Sequence, residues 1–268
     1  MTGKDAAAGT AEAARIEYRR PWLHAKQRIA IFEPVDATGA PARYSLIEAS
    51  TKSGKTVGCM IWLAEQAMLG RAGQNFWWVA PVAEQAAIVF RRLKRGLPRR
   101  LYRANESARS IALVNGTVLW FKSADKPDSL YCEDVQSAVI DEASRVKADA
   151  FYAVRSTLTA TSGALRIIGN VKGRRNWFYA MARRAEAGEA GMAFHRITAD
   201  DAVAAGIVAA HEVADARRQL PEAIFRELFL AEASDDQSNP FGLPALRACI
   251  APLSEAAPAH WGWDLAKS

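Results

Sequence analysis

The sequence predicts an α/β fold in which a mainly parallel central sheet is covered by helices. Three observations predict it. Apolar runs of strand length alternate with amphipathic runs of helix length from Arg43 to Thr198. The helical runs are long enough to serve as crossovers between parallel strands. One short connection instead carries Asn115-Gly116, the pair suited to a tight hairpin, so a local antiparallel excursion is expected within the sheet.

The elements follow in order. Residues 1–19, rich in Ala, Gly and Thr, sustain neither periodicity and are expected to form a flexible arm. The strand run RYSLIEAS (43–50) leads through a Gly-Lys-Thr turn into the helical run 57–69. Strand 75–81, helix 83–97 and strands 108–115 and 117–124 follow, then strand 137–144 and a helix near 148–158. Strand 164–170, a helix near 175–187 and strand 191–198 close the alternation. Past Asp200 two helical runs appear, the second started by Pro221. Residues 234–243 are turn-rich, and HWGWDLAKS (260–268) reads as the opening of a strand. The expected organisation is a core over 20–198, a small helical appendage over 199–233, and a linker with the start of a further domain over 234–268.

Composition excludes several classes. At 268 residues, 50% hydrophobic and 24% charged, the chain can bury a core, so disorder is excluded as its main state. Cys59, Cys132 and Cys249 are an odd set without metal-ligand spacing, which argues against a disulfide framework or zinc ribbon. No apolar stretch has membrane-spanning length, because the best one is cut by Glu65 and Gln66. The net charge of +6 is compatible with a polyanionic partner without requiring one.

Chemistry is concentrated in three motifs. Ala49-Ser50-Thr51-Lys52-Ser53-Gly54-Lys55-Thr56 has P-loop spacing, with Ala at the first glycine position, and lies between a strand and a helix. A loop of backbone N–H groups at a helix N-terminus cradles phosphates; Lys55 reaches them and the Thr56 hydroxyl ligates Mg²⁺. The apolar run Ala138-Val139-Ile140 ends in Asp141-Glu142, one carboxylate to hold Mg²⁺ and one to polarise water. A third strand ends in Gly169-Asn170, where the amide is either a γ-phosphate sensor or a turn residue. Upstream, Gln27 offers an amide for an adenine edge and Trp22 a stacking ring, and both are equally compatible with ordinary packing.

Taken in order, Gln27, ASTKSGKT (49–56), VIDEAS (139–144), IIGN (167–170) and KGRRNWFY (172–179) resemble the large subunit of tailed-bacteriophage terminases. NPFG (239–242) and WGWDLAKS (261–268) extend the resemblance toward the RNase H-like nuclease domain of that family. The resemblance implies an additional-strand, catalytic-glutamate P-loop NTPase that hydrolyses ATP with Mg²⁺ to drive double-stranded DNA into a procapsid. It implies catalytic roles for Lys55, Glu142 and Asn170, metal binding by Thr56 and Asp141, and adenine contact by Gln27. Asp264 matches one nuclease aspartate without the rest of that site, so cleavage by this chain is not expected. A portal protein, a small terminase subunit and a ring, pentameric on the procapsid in the host cytoplasm, are implied as partners; the isolated domain is expected to be monomeric. Where the family places an arginine in the P-loop, this chain has Thr51 and Lys52, so the second cation is left open among Lys52, Arg145 and Arg155, the last two serving from a neighbouring subunit, or another residue.

For DNA, Arg91, Arg92, Lys94 and Arg95, continued by Arg99, Arg100 and Arg103, are either a phosphate-tracking surface or a solvated helix face. Lys172, Arg174 and Arg175 form a second cluster after Asn170. The competing classes are a helicase-like or remodelling ATPase, a small-molecule P-loop kinase, and a non-enzymatic DNA-binding scaffold with a decayed P-loop. Intact Lys55, Thr56, Asp141 and Glu142 argue against decay.

Overall fold

The computed structural model describes residues 18–131, 133–234 and 248–249. A short helix α1 (Ala25–Gln27) runs into a π-helical turn over Arg28–Phe32. Then come β1 (Tyr44–Ala49), α2 (Lys55–Leu69), β2 (Asn75–Ala80), α3 (Ala83–Gly96), β3 (Tyr102–Asn105), β4 (Ser110–Leu113) and β5 (Val118–Ser123). They are followed by β6 (Val135–Ile140), α4 (Ala148–Thr157), β7 (Ala164–Gly169), α5 (Trp177–Glu186) and β8 (Met192–Ile197). The tail of the described chain is helical: α6 (Ala199–Ala204), α7 (Ala210–Gln219), α8 (Glu222–Phe225) and a second π-helical turn, Arg226–Leu230.

The eight strands form one sheet in the order β3-β4-β5-β2-β6-β7-β1-β8. Pairings from β5 through β8 are parallel, and β3, β4 and β5 pair antiparallel at one edge. Strand β7 stands between β1, which precedes the phosphate-loop motif, and β6, which precedes Asp141-Glu142. That insertion matches the additional strand that the resemblance implies.

Side-chain alternation divides the core in two. Neighbours on a strand point to opposite faces, so Ile47, Trp78 and Ile168 pack with Cys59, Trp62 and Leu63 of α2 and Val89, Phe90 and Leu93 of α3. Leu46, Trp77 and Ile167 pack on the other face with Ala150, Ala153 and Val154 of α4 and Phe178, Met181 and Ala182 of α5. Each such large side chain contributes about 1.5–3 kcal/mol. Continuous burial on both faces explains why the parallel strands are apolar runs rather than alternating ones.

Two elements differ from expectation. Strand β3 falls where the basic run hides the period, with only Tyr102 buried; it pairs with β4 from Tyr102↔Leu113 to Asn105↔Ser110 and becomes the sheet edge. Strand β6 stops at Ile140, so Asp141 lies just past it and Glu142 takes a left-handed backbone at φ +48. Residues 235–247 and 250–268 of the expected linker and domain start, Asp264 among them, lie outside the described residues, as does most of the expected N-terminal arm. Among the described residues, no helix is long and apolar enough to cross a membrane.

Candidate active site

The site is built where β1, β6 and β7 deliver their carboxyl ends to one cavity of about 440 Å³, a size suited to a small ligand. Its lining includes Thr51 through Thr56, Asp141, Glu142 and Asn170, with Gln85, Ile88, Val89 and Arg92 from α3. Three motifs spread over residues 49–170 of the sequence therefore share one crevice, at the position where ligands bind parallel sheets.

The phosphate-loop motif is held at several points. Ser50 N–H donates to the Ile197 carbonyl and Thr51 N–H to the Leu228 carbonyl, each at 2.7 Å. The Ser53 hydroxyl donates to the Ser50 carbonyl. Gly54 caps α2 with φ +80, a left-handed conformation that glycine adopts without steric cost. The first-turn amides of α2 lack intrahelical acceptors, and the helix dipole places partial positive charge there. Lys55, only 6% exposed, points its Nζ at Asn170 Oδ1 (2.9 Å), Glu142 Oε1 (3.5 Å) and the Ser50 carbonyl (3.4 Å). One ammonium thus connects all three motifs.

Asp141 is buried, and its Oδ1 accepts the Glu142 N–H. Burial, seconded by the neighbouring Glu142 charge, raises its pKa to about 7, while Lys55, the Glu142 N–H and, least, Arg92 pull in the opposite direction. A buried carboxylate so disfavoured as an anion is a natural cation partner. With the Thr56 hydroxyl on the same cavity, it offers oxygen donors of the kind that could hold a divalent cation beside a ligand. Among the described residues there is no cluster of three or more metal-ligating side chains. Asn170 Nδ2 is buried without a hydrogen-bond partner, a donor available to a ligand oxygen.

Gln27 stands differently from its expected adenine contact. It is buried, its Nε2 donates to the Gly54 carbonyl at 2.7 Å and its Oε1 accepts the His24 N–H, so both amide atoms are committed to the chain. Its place is behind the loop. His24 closes the same clamp, with Nε2 at 3.3 Å from the Ser53 carbonyl. His24 carries one sequence signal, the His-x-x-Gln spacing that matches the reciprocal pattern of a capping box. Trp22 is exposed, and Ala49 is buried at the end of β1.

The basic run does not form one surface. Arg92 lines the cavity at the strand ends, Arg91 lines a separate hollow with Glu84 and Glu106, and Lys94 pairs with Glu106. Arg99, Arg100 and Arg103 line a third hollow on the β3 edge. Lys52 is exposed at the cavity. Arg145 lines an adjoining hollow, and Arg155 lies near Tyr44, at the opposite end of β1 from the loop.

Solved structures share this fold. The ATPase domain of the Thermus phage P74-26 large terminase superposes with a TM-score of 0.62 at 21% identity, covering 80% of this chain and 94% of that one. The chain has the fold of a large-terminase ATPase domain. The large terminase of a thermophilic bacteriophage gives a TM-score of 0.65 at 15% identity, and that of bacteriophage HK97 gives 0.59 at 14%. This chain spans only about half of each of those two, 54% and 56%, while 79% of its own length is covered in both cases. Structures of the thermophilic phage enzyme include complexes with ADP and with ATP-γ-S. No protein-family model and no curated protein sequence matches this chain.

Proposed function

We propose that this chain is the ATPase domain of a phage DNA-packaging terminase, hydrolysing ATP to move double-stranded DNA into a procapsid. The observation that carries this reading is the convergence of Lys55, Thr56, Asp141, Glu142 and Asn170 on one cavity at the strand ends. The terminase fold supports it further.

Phosphoryl transfer depends on positioning and charge stabilisation. Backbone amides of 52–56 and the α2 N-terminus cradle the phosphates, and Lys55 exchanges its Asn170 and Glu142 contacts for phosphate oxygens. Thr56 and Asp141 would hold Mg²⁺, which would supply charge neutralisation for the phosphates. Glu142, held beside the loop by its left-handed backbone, orients a water molecule. The water oxygen bonds to the γ-phosphorus, the bond to the bridging oxygen breaks, ADP departs, and the water proton passes to the Glu142 carboxylate and on to solvent. Asn170 then loses its phosphate contact and relays that to residues 171–176. The portal, a small subunit and a ring of copies in the host cytoplasm complete the proposal.

The test is ATP hydrolysis by the purified protein with and without double-stranded DNA, alongside Lys55→Ala and Glu142→Gln. Turnover is expected in the parent, lost in both variants by about 10²-fold or more. A Glu142→Gln variant hydrolysing at the parental rate would sink the assignment, and phosphorylation of a nucleoside would replace it with a kinase.

A further inference from the structure

The phosphate-loop motif of this chain holds lysine but no arginine, and the structure brings an arginine to the cavity from elsewhere. Gln85, Ile88, Val89 and Arg92 follow one another at helical spacing along α3 and form the cavity wall facing the loop. Ala86, Phe90 and Leu93 anchor the adjacent stripe of α3 in the core, which fixes the rotation of the helix and so the direction of Arg92. Arg92 makes no hydrogen bond or ion pair among the described residues, whereas the neighbouring Lys94 is paired with Glu106. Its guanidinium is therefore uncommitted at the mouth of a cavity containing Lys55, Asp141 and Glu142. Alongside it, Gln85 Oε1 is buried without a partner.

We propose that Arg92 is the second cation of the reaction, supplied by the same chain: it contacts the terminal phosphate of the bound nucleotide and stabilises the charge that develops as that phosphate transfers to water. This rests on the ATPase reading above and refines it. Guanidinium is suited to the task because it stays charged and presents a planar fork of donors to phosphate oxygens, which the ammonium of Lys52 does not. Its charge already acts on the cavity, where it opposes the burial of Asp141. The proposal also removes Arg92 from the DNA-facing part of the basic run, since a side chain engaged with nucleotide is not tracking DNA phosphates.

The experiment compares the parent with Arg92→Ala, Arg92→Lys, Arg91→Ala and Lys55→Ala, measuring ADP and ATP-γ-S affinities by calorimetry and DNA-free turnover. Thermal melting checks that each variant folds. Arg92→Ala is expected to keep ADP affinity within about twofold, to weaken ATP-γ-S about tenfold, and to lower kcat by about 10²–10³-fold. Arg92→Lys should restore part of the ATP-γ-S affinity and little of kcat, and Arg91→Ala should match the parent. Parental kcat and parental nucleotide preference in Arg92→Ala overturn the proposal, as does an equal loss in Arg91→Ala, which would mean a general charge effect. Absence of Lys55-dependent nucleotide binding in the parent would instead overturn the ATPase reading, and this proposal with it.

Discussion

Gly54→Ala tests the clamp behind the phosphate-loop motif. At φ +80 a side chain is strained, at about 1–2 kcal/mol for the left-handed backbone. A Cβ there would also sit 2.3 Å from Gln27 Nε2 and 3.3 Å from Gln27 Cδ. Gln27 must then withdraw, giving up its bond to the Gly54 carbonyl and loosening the one from His24 N–H, at about 1–2 kcal/mol for buried groups. The expected total is about 2–4 kcal/mol, a fall in Tm of roughly 5–12 °C for a chain of this size. The discriminating measurement is a double-mutant cycle read by urea unfolding. In a Gln27→Ala background the obstruction is gone, so Gly54→Ala should cost only its backbone strain, leaving a coupling of about 1–2 kcal/mol. Strict additivity would refute the clamp, because it would mean that Gln27 and Gly54 do not meet as described.

Three further outcomes are expected. Asn170→Ala removes the 2.9 Å acceptor of Lys55, so ADP binding should persist within a few-fold while turnover falls about 10²-fold; an unchanged kcat would assign Asn170 to the turn alone. Arg183→Met leaves Glu48, which is 1% exposed, with only the 3.6 Å contact to Arg196, and should cost about 2–4 kcal/mol in urea unfolding. Adding Glu48→Gln should recover much of that loss, and no recovery would count against an electrostatic cause. His195 is held neutral by burial, seconded by the Arg166 charge, with its pKa lowered to about 4. The unfolded chain therefore binds the extra proton first, and stability present above pH ~6.5 is lost as pH falls toward 4, by about 1–2 kcal/mol after solvent screening. The stability gap between parent and His195→Gln should change over that window; a gap independent of pH would remove His195 from the acid response.

The parallel strands were legible because burial on both faces writes them as apolar runs such as Asn75–Ala80, and the two sheet faces need no further signal than alternate residues. Strand β3 was not, because an edge strand buries little: Arg103 faces out, and only pairing with β4 defines it. The phosphate-loop motif was legible since local backbone chemistry dictates its spacing. Gln27 is expected at an adenine edge, because sequence shows that an amide is present but not that its Oε1 and Nε2 meet His24 and Gly54. Arg92 was assigned with its neighbours to one basic run. Along a helix, adjacent residues point about 100° apart, so a contiguous run of charge in sequence is divided in space, and the division follows from which stripe of α3 meets the sheet.

Gly169-Asn170 shows how a weak local signal becomes a specific one. An Asn ending a strand is a common turn residue, and the preceding glycine adds little by itself. In the structure a Cβ on Gly169 would lie 3.0 Å from Ala143 N and 3.4 Å from Glu142 C, so the glycine is what lets the backbone after β6 pass close to the end of β7. That close approach brings Glu142 to Lys55, and the next residue, Asn170, takes the same ammonium from the other side. A larger residue at 169 would push the Glu142–Ala143 backbone away from β7, and the separation would fall on Glu142 before it fell on the fold. Gly169→Ala should accordingly reduce turnover far more than stability, with steady-state kinetics and urea unfolding measured on the same preparation; equal damage to both would mean that Gly169 serves packing alone.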